Sequence, residues 1–241
     1  MLDLGRGPLV VGVADRPAAL ARAANIAPAA RPYDLVEARV DLFPGQQLDL
    51  GAAACARLEA TGTPVLVTLR TVAQGGRFAG DEGERLRRFR AALLAASWVD
   101  VEDDSPLVEE VAAALAARPG GGQLVISHHD FVATPPLDVL LQIADRCHAQ
   151  PGAIAKLATT VTGDADRDTL FELLARRPGR TCVIGMAASS GLRIELAARG
   201  SLLAYGYLDA PTAPGQLSAK ETSRRLAAVS PRYASRTKRR R

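Results

Sequence analysis

Short apolar stretches rich in Val, Ile and Leu recur along the whole chain, and polar or turn-forming residues bound each of them. Stretches of this length and composition predict buried β-strands. There are eight, at residues 9–15, 34–43, 64–71, 98–103, 123–131, 153–161, 181–188 and 202–209.

Helical patterns separate these strands, for example in PAALARAANI, GERLRRFRAALLAAS, PLVEEVAAALAAR and DRDTLFELLARR. The last such segment, SAKETSRRLAAV, opens with Ser218 and carries Glu221 three residues later, which is a capping box. Strands that alternate with helices predict βαβ units and a parallel sheet.

Eight such units in 241 residues fit an α/β fold of the (β/α)8 TIM-barrel type, whose usual length is about 250 residues. An open doubly wound sheet is the alternative, but it usually has a glycine-rich phosphate turn after its first strand, and VGVADRPAA is not one. We therefore expect a single barrel domain over residues 1–235.

Composition places the chain among ordinary globular proteins, with 48% hydrophobic and 23% charged residues. The apolar runs are too short to span a membrane, and the first residues do not have the pattern of a signal peptide. Three cysteines, Cys55, Cys147 and Cys182, lack metal-type spacing. We expect reduced, buried thiols and a cytoplasmic location.

The formal charge of +4 comes from the C-terminal end, SRTKRRR, which holds five cationic residues. The rest of the chain is close to neutral, so a nucleic-acid or membrane partner is not expected. We expect residues 236–241 to form a basic, disordered tail.

Polar residues near strand ends are informative, because barrel active sites lie at the carboxyl ends of the strands. In the second strand, Glu37, Arg39 and Asp41 should point the same way, since side chains alternate faces. They could form internal ion pairs, or Arg39 could bind an anionic ligand. Arg70, at the end of the third strand, suits carboxylate binding or pairing with a neighbouring loop.

Lys156 has apolar neighbours on both sides in AIAKLATTV. Apolar surroundings would lower the pKa of its amine and make it a nucleophile able to form a Schiff base with a carbonyl compound. The alternative is a lysine that reaches solvent or pairs with Glu37 or Asp41.

Two of the three histidines, His128 and His129, stand side by side in LVISHHDF. Adjacent residues on a strand face opposite sides, so only one of them can enter the barrel. Periodicity does not choose between them, because the flanking residues are apolar on both faces. A zinc site is not expected, since no HxH, HExxH or Cys/His cluster is present and His148 lies in a helical segment.

Together these motifs resemble the type I 3-dehydroquinate dehydratases, a Schiff-base-forming barrel family. The resemblance covers most of the chain in order. It rests on the segments DLVEARVDLF, VLVTLRTVAQGG, VDVE, ISHHDF, AKLATTV, GMAASSGLR and GSLLAYGYLDAPTAPGQLS.

This resemblance implies the dehydration of 3-dehydroquinate to 3-dehydroshikimate without a cofactor or metal. It assigns the Schiff base to Lys156 and the general acid and base to His129. It also implies that a loop containing APTAPGQ closes over the site and that the protein is a homodimer. The substrate-binding positions that carry over are Glu37, Arg39, Arg70, Arg193, Thr212 and Gln216.

The sequence departs from the family pattern in several places. Gln74 stands where the family has a glutamate beside the catalytic histidine, so an amide replaces a charged partner. Thr212 replaces a serine, the segment between Met186 and Arg193 is one residue short, and the N-terminal hairpin is truncated.

Three hypotheses follow from these observations. The first is a working Schiff-base dehydratase of lower activity, because Gln74 cannot stabilise an imidazolium by charge. The second is a relative that acts on another cyclic keto acid. The third is a barrel that binds a shikimate-type ligand without turnover.

Overall fold

Eight parallel strands alternate with helices in the computed structural model, which describes residues 4–46, 49–187, 189–213 and 215–238. The strands are β1 (Leu9–Ala14), β2 (Leu35–Arg39), β3 (Val65–Thr68), β4 (Trp98–Glu102), β5 (Gln123–Asp130), β6 (Ile154–Thr160), β7 (Thr181–Met186) and β8 (Leu203–Tyr207). Each predicted strand is present, and the single-domain (β/α)8 barrel is confirmed.

Nine α-helices lie in the described part of the chain. They are α1 (Pro17–Asn25), α2 (Asp49–Ala60), α3 (Glu82–Ala92), α4 (Val108–Ala117), α5 (Leu137–Ala149), α6 (Asp164–Arg176), α7 (Ser190–Ala198), α8 (Ala219–Val229) and α9 (Pro231–Lys238). The capping box is visible at α8, where the Ser218 side chain accepts a hydrogen bond from the Glu221 amide.

The sheet runs in the order β7-β6-β5-β4-β3-β2-β1-β8 and nearly closes between β7 and β8. At that seam, the Leu202 amide donates to the Thr181 carbonyl oxygen at 2.9 Å. The Ser201 hydroxyl also accepts from the Val183 amide and donates to the Val183 carbonyl oxygen, at 2.8 and 3.1 Å. A few hydrogen bonds therefore join the β7 and β8 segments, whereas every other pair of neighbouring strands forms a regular ladder.

Apolar side chains form two separate layers. The larger lies between the sheet and the helices and includes Val36, Val67 and Leu140. The smaller fills the amino-terminal half of the barrel interior with residues such as Leu35 and Trp98. The upper half of the interior is left to polar groups, at the end where barrel enzymes place their active sites.

Two sequence expectations differ from the structure. The second strand ends at Arg39, and Val40–Leu42 forms a 3-10 turn, so Asp41 does not lie on the strand. The expected basic tail does not begin at Arg236, because α9 continues through Lys238. Residues 239–241 lie outside the described residues.

Contacts with the barrel hold α9 in place. Tyr233 is buried, and its hydroxyl is 2.8 Å from that of Ser223 on α8. The Arg236 guanidinium donates to the Pro8 carbonyl oxygen and to the buried carboxylate of Asp34, at 2.6 and 2.7 Å. Both acceptors precede the first residues of strands, so α9 lies at the amino-terminal end of the barrel.

All three cysteines are buried, as predicted. Burial raises the pKa of Cys55 and Cys147 to about 12 and that of Cys182 to about 11, which leaves the thiols protonated near neutral pH. Among the described helices, none is both long and apolar enough to cross a membrane.

We predict that Arg236→Ala lowers the free energy of unfolding by about 2 to 3 kcal/mol, because it removes a charged partner from the buried Asp34 carboxylate. Urea unfolding followed by circular dichroism measures this change. The control is Arg232→Ala, an exposed position on the same helix. Equal unfolding midpoints for the two variants would contradict the prediction.

Candidate active site

A cavity of about 130 Å³ opens at the carboxyl ends of the strands. It brings together every residue that the sequence proposed for the site. These lining residues are Glu37, Arg39, Arg70, Gln74, His129, Lys156, Arg193, Thr212 and Gln216.

Two larger clefts, of about 230 and 400 Å³, lie elsewhere. One is bordered by Pro64, Trp98 and Gln123 at the amino-terminal ends of strands, and the other lies beside α4 and α5. We place the site in the smaller cavity, because there a lysine, a histidine and several arginines converge on one space.

Lys156 projects from β6 into the barrel, and its Nζ lies 2.9 Å from Oδ2 of Asp100 on β4. Both side chains are buried. The amine also lies over the ring of Tyr205 on β8, 4.6 Å from the ring centroid. The prediction of apolar surroundings, made from the neighbours of Lys156 on its own strand, is therefore wrong. A carboxylate and an aromatic face come from β4 and β8, and neither of these strands adjoins β6 in the sheet.

Arg70 holds the other oxygen of Asp100. Its Nη2 donates to Oδ1 at 2.6 Å, while Nη1 donates to the Ser127 hydroxyl at 2.7 Å and lies 3.0 Å from Oε1 of Glu102. The Arg85 guanidinium from α3 pairs with the second oxygen of Glu102. Arg70 thus lines the cavity, but internal acceptors occupy both of its terminal nitrogens.

The electrostatic balance at Asp100 favours the ionised carboxylate. Burial by itself would raise the pKa of Asp100, but the charges of Arg70 and Lys156 and the hydrogen bonds from Lys156 and Ser127 outweigh that effect. The pKa of Asp100 is therefore well below its usual range.

His129 enters the barrel from β5 with the same orientation as the buried Ser127, two residues earlier. Its Nδ1 lies 3.1 Å from Oε1 of Gln74, and Nε2 of Gln74 donates to Oδ1 of Asp104 at 3.1 Å. The Phe131 ring stacks near the imidazole, with the ring centroids 6.1 Å apart. Gln74 therefore stands between the histidine and a carboxylate of the β4–α4 loop.

His128 faces the other way, as strand alternation requires. Its Nδ1 lies 3.1 Å from Oδ1 of Asp103, and the second oxygen of Asp103 accepts from Arg146 on α5 at 3.2 Å. The hydrogen bond with Asp103 raises the pKa of His128. The structure thus separates the two histidines, with only His129 on the cavity.

Burial lowers the pKa of His129 well below its ordinary value, and the nearby charges of Arg70, Lys156 and Arg39 lower it further. Asp100 acts in the opposite direction with a smaller effect. The imidazole is therefore neutral near pH 7, which is the form that can accept a proton.

The second strand contributes one side of the cavity. Glu37 is buried, and its Oε1 accepts from the Thr68 hydroxyl at 2.8 Å. Arg39 forms a bidentate pair with Asp41, with distances of 2.9 and 2.8 Å. Of the two alternatives for this strand, the internal ion pair is present, and Arg39 lines the cavity at the same time.

The opposite side comes from α7 and from the loop that precedes α8. Arg193 lies in the first turns of α7, and burial lowers its pKa. Oε1 of Gln216 accepts from the amide and the hydroxyl of Thr212, at 2.8 and 3.0 Å. Gln216 thus closes this loop on itself beside the cavity.

Sequence reasoning missed several residues that position the site, above all Asp100, Ser127, Tyr205 and Asp104. Asp100 could have been found, because it shares the inward parity of Trp98 on a strand that carries two acidic residues in five. Asp104 lies in a loop, and no periodic signal marks it.

Within the described residues, no group of three His, Cys, Asp or Glu side chains is arranged to hold a metal ion. Two series of polar contacts connect the cavity residues instead, the buried Arg70–Asp100–Lys156 chain and the His129–Gln74–Asp104 chain. A lysine side chain and a neutral imidazole lining one cavity are groups that could together abstract a proton beside a carbonyl group.

Solved structures of similar fold support this reading of the architecture. The 3-dehydroquinate dehydratase of Geobacillus kaustophilus HTA426 superposes with a TM-score of 0.76 at 24% identity, covering 92% of this chain and 90% of that one. The 3-dehydroquinate dehydratase of Aquifex aeolicus VF5 gives a TM-score of 0.77 at 22% identity, covering 91% and 98%. At these identities the likeness establishes the fold alone.

Sequence comparison establishes the family. A 3-dehydroquinate dehydratase of Methanocella arvoryzae is 32% identical over 185 residues, which cover 76% of this chain and 82% of that protein. The sequence model described as "Type I 3-dehydroquinase" matches residues 11–230, nearly the whole barrel. The chain therefore belongs to the type I 3-dehydroquinase family.

Proposed function

We propose that this protein converts 3-dehydroquinate to 3-dehydroshikimate by eliminating water through a Schiff base on Lys156. Membership of the family and the names of its relatives support the substrate. The observation that carries the mechanism is the placement of the Lys156 amine and the His129 imidazole in one cavity.

Lys156 attacks the C3 ketone once its ammonium group has given a proton to solvent, and the carbinolamine hydroxyl takes up one proton in return as it leaves. The resulting carbinolamine loses water and becomes an imine, and the imine withdraws electrons from the neighbouring carbon. Asp100 holds the amine at 2.9 Å and so fixes its position for the attack.

His129 removes the C2 proton. The electron pair forms an enamine, which then expels the C1 hydroxyl group as the imidazolium returns the proton to the departing oxygen. Hydrolysis of the imine regenerates the amine, so the net change is the loss of one water molecule. The same imidazole thus serves as base and then as acid.

The substrate carboxylate requires a cation on the cavity wall. We assign this role to Arg193, which lines the cavity and whose pKa is lowered by burial, because an anion there would offset the cost of burying its charge. The loop with Thr212 and Gln216 supplies polar groups on the same side, while Glu37 and Arg39 face the substrate hydroxyls from the other.

We expect borohydride reduction in the presence of 3-dehydroquinate to trap a covalent adduct on Lys156, because hydride reduces the imine to a stable amine. Mass spectrometry of the intact protein and of its peptides locates the adduct. Lys156→Met is the control and forms none.

Folded protein that forms no adduct would overturn the proposed mechanism. An adduct with another cyclic keto acid, but not with 3-dehydroquinate, would indicate a relative with a different substrate. Binding of shikimate without either adduct or turnover would indicate a ligand-binding barrel.

The low pKa of His129 sets the acid side of the pH profile. A base works only when it is neutral, and His129 acts after the imine has formed. At saturating 3-dehydroquinate, kcat should therefore stay constant from neutral pH down past 6.5 and fall only below that value. Steady-state kinetics from about pH 4.5 to 8 tests this, with circular dichroism at each pH as the control for folding. An acid limb at or above pH 6.5 in folded protein would contradict the assignment of His129 as the base.

A further inference from the structure

The contact between His129 and Gln74 leaves a chemical ambiguity, because an amide can face the imidazole with either its oxygen or its nitrogen. A glutamate at position 74 would only accept a hydrogen bond from Nδ1. A glutamine could instead turn its amide by about 180° and donate to Nδ1. In that arrangement the ring hydrogen would move to Nε2, and the nitrogen that faces the substrate could not accept a proton.

Asp104 removes this ambiguity. An ionised carboxylate has acceptors only, so the group that faces Oδ1 of Asp104 must be the Gln74 Nε2 donor, at 3.1 Å. The Gln74 oxygen is then directed toward His129 Nδ1, also at 3.1 Å, which must carry the hydrogen. Each bond in the series therefore has a fixed direction, from the imidazole through the amide to the carboxylate.

We propose that Asp104 is a positioning residue that orients the Gln74 amide, so that His129 keeps its hydrogen on Nδ1 and offers a free Nε2 to the substrate. This inference rests on the proposed function, in which His129 is the base. Asp104 itself is exposed at the start of the β4–α4 loop and acts through Gln74, which is buried. Its charge also polarises the amide and strengthens the acceptor that faces the imidazole.

The effect of Asp104→Asn on kcat should reverse its sign when Gln74 is replaced by a glutamate. With Gln74 present, Asp104→Asn no longer favours one orientation of the Gln74 amide, since an asparagine side chain can both donate and accept a hydrogen bond. We expect kcat to fall about tenfold, the size associated with one hydrogen bond to a charged group. Asp138→Asn, an exposed carboxylate in the first turn of α5, is the matched control and leaves kcat unchanged.

In the Gln74→Glu variant, the Asp104→Asn substitution should have the opposite effect. Gln74→Glu places two carboxylates where the amide and Asp104 now lie 3.1 Å apart, so their repulsion offsets the gain of a charged partner for His129. The double variant Gln74→Glu/Asp104→Asn should therefore be faster than Gln74→Glu alone. The acid limb of the double variant should lie at higher pH than that of the unsubstituted protein, because a carboxylate at position 74 stabilises the His129 imidazolium.

The histidine tautomer can be measured without turnover. The chain has three histidines, so ¹⁵N-histidine labelling, with His128→Gln and His148→Gln for assignment, gives a resolved signal for His129. We expect the Nδ1–H tautomer in the unsubstituted protein and a mixture in Asp104→Asn. This readout remains valid if the protein does not dehydrate 3-dehydroquinate, which would refute the proposed function alone.

Equal kinetics and an unchanged tautomer in Asp104→Asn would overturn the inference. A loss of the same size in the unsubstituted protein and in the Gln74→Glu variant would also overturn it, because that pattern indicates a purely structural role for Asp104.

Discussion

The rest of the site depends on the contacts of the Asp100 carboxylate with Arg70 and Lys156. Arg70 and Lys156 are both buried in the upper half of the barrel, and two cations this close to each other repel unless an anion lies between them. Asp100 gives one oxygen to each. The Lys156 amine is thereby held on β6, next to the strand that carries His129, and its charge is balanced where it is buried.

The barrel interior divides its tasks between two levels. Below the ionic groups, residues such as Leu66, Val125 and Ile154 pack into an apolar floor. Close-packed side chains deform little, so this floor gives the charged groups above it a rigid base. The fold does not depend on the ion pairs for its stability, because the apolar layers on both sides of the sheet supply the buried apolar surface that stabilises it. Their arrangement can serve the position of the amine and the imidazole instead.

The sequence predicted the strands and the barrel well, because their periodic apolar pattern is a local property. It predicted which residues line the cavity less completely. Periodicity does not choose between His128 and His129, because the choice depends on strand orientation. The contacts of the two imidazoles with Asp103 and Gln74 reveal that orientation. The partners of Lys156 depend on which side chains β4 and β8 direct into the barrel, and neither strand adjoins β6. The sequence did not predict helix α9, because its polar, Arg- and Ser-containing sequence has no clear apolar pattern. Contacts with distant parts of the chain hold this helix instead.

The incomplete ladder between β7 and β8 has a consequence for how this protein can diverge from its relatives. After β7, Ala187 has a left-handed backbone with a φ of 57°. β7 forms a full ladder only with β6. A change in chain length after β7 therefore has to preserve the pairing of β7 with one neighbouring strand rather than with two. The seam therefore constrains the length of the chain after β7 less than a complete ladder would, and it adjoins the helix that carries Arg193.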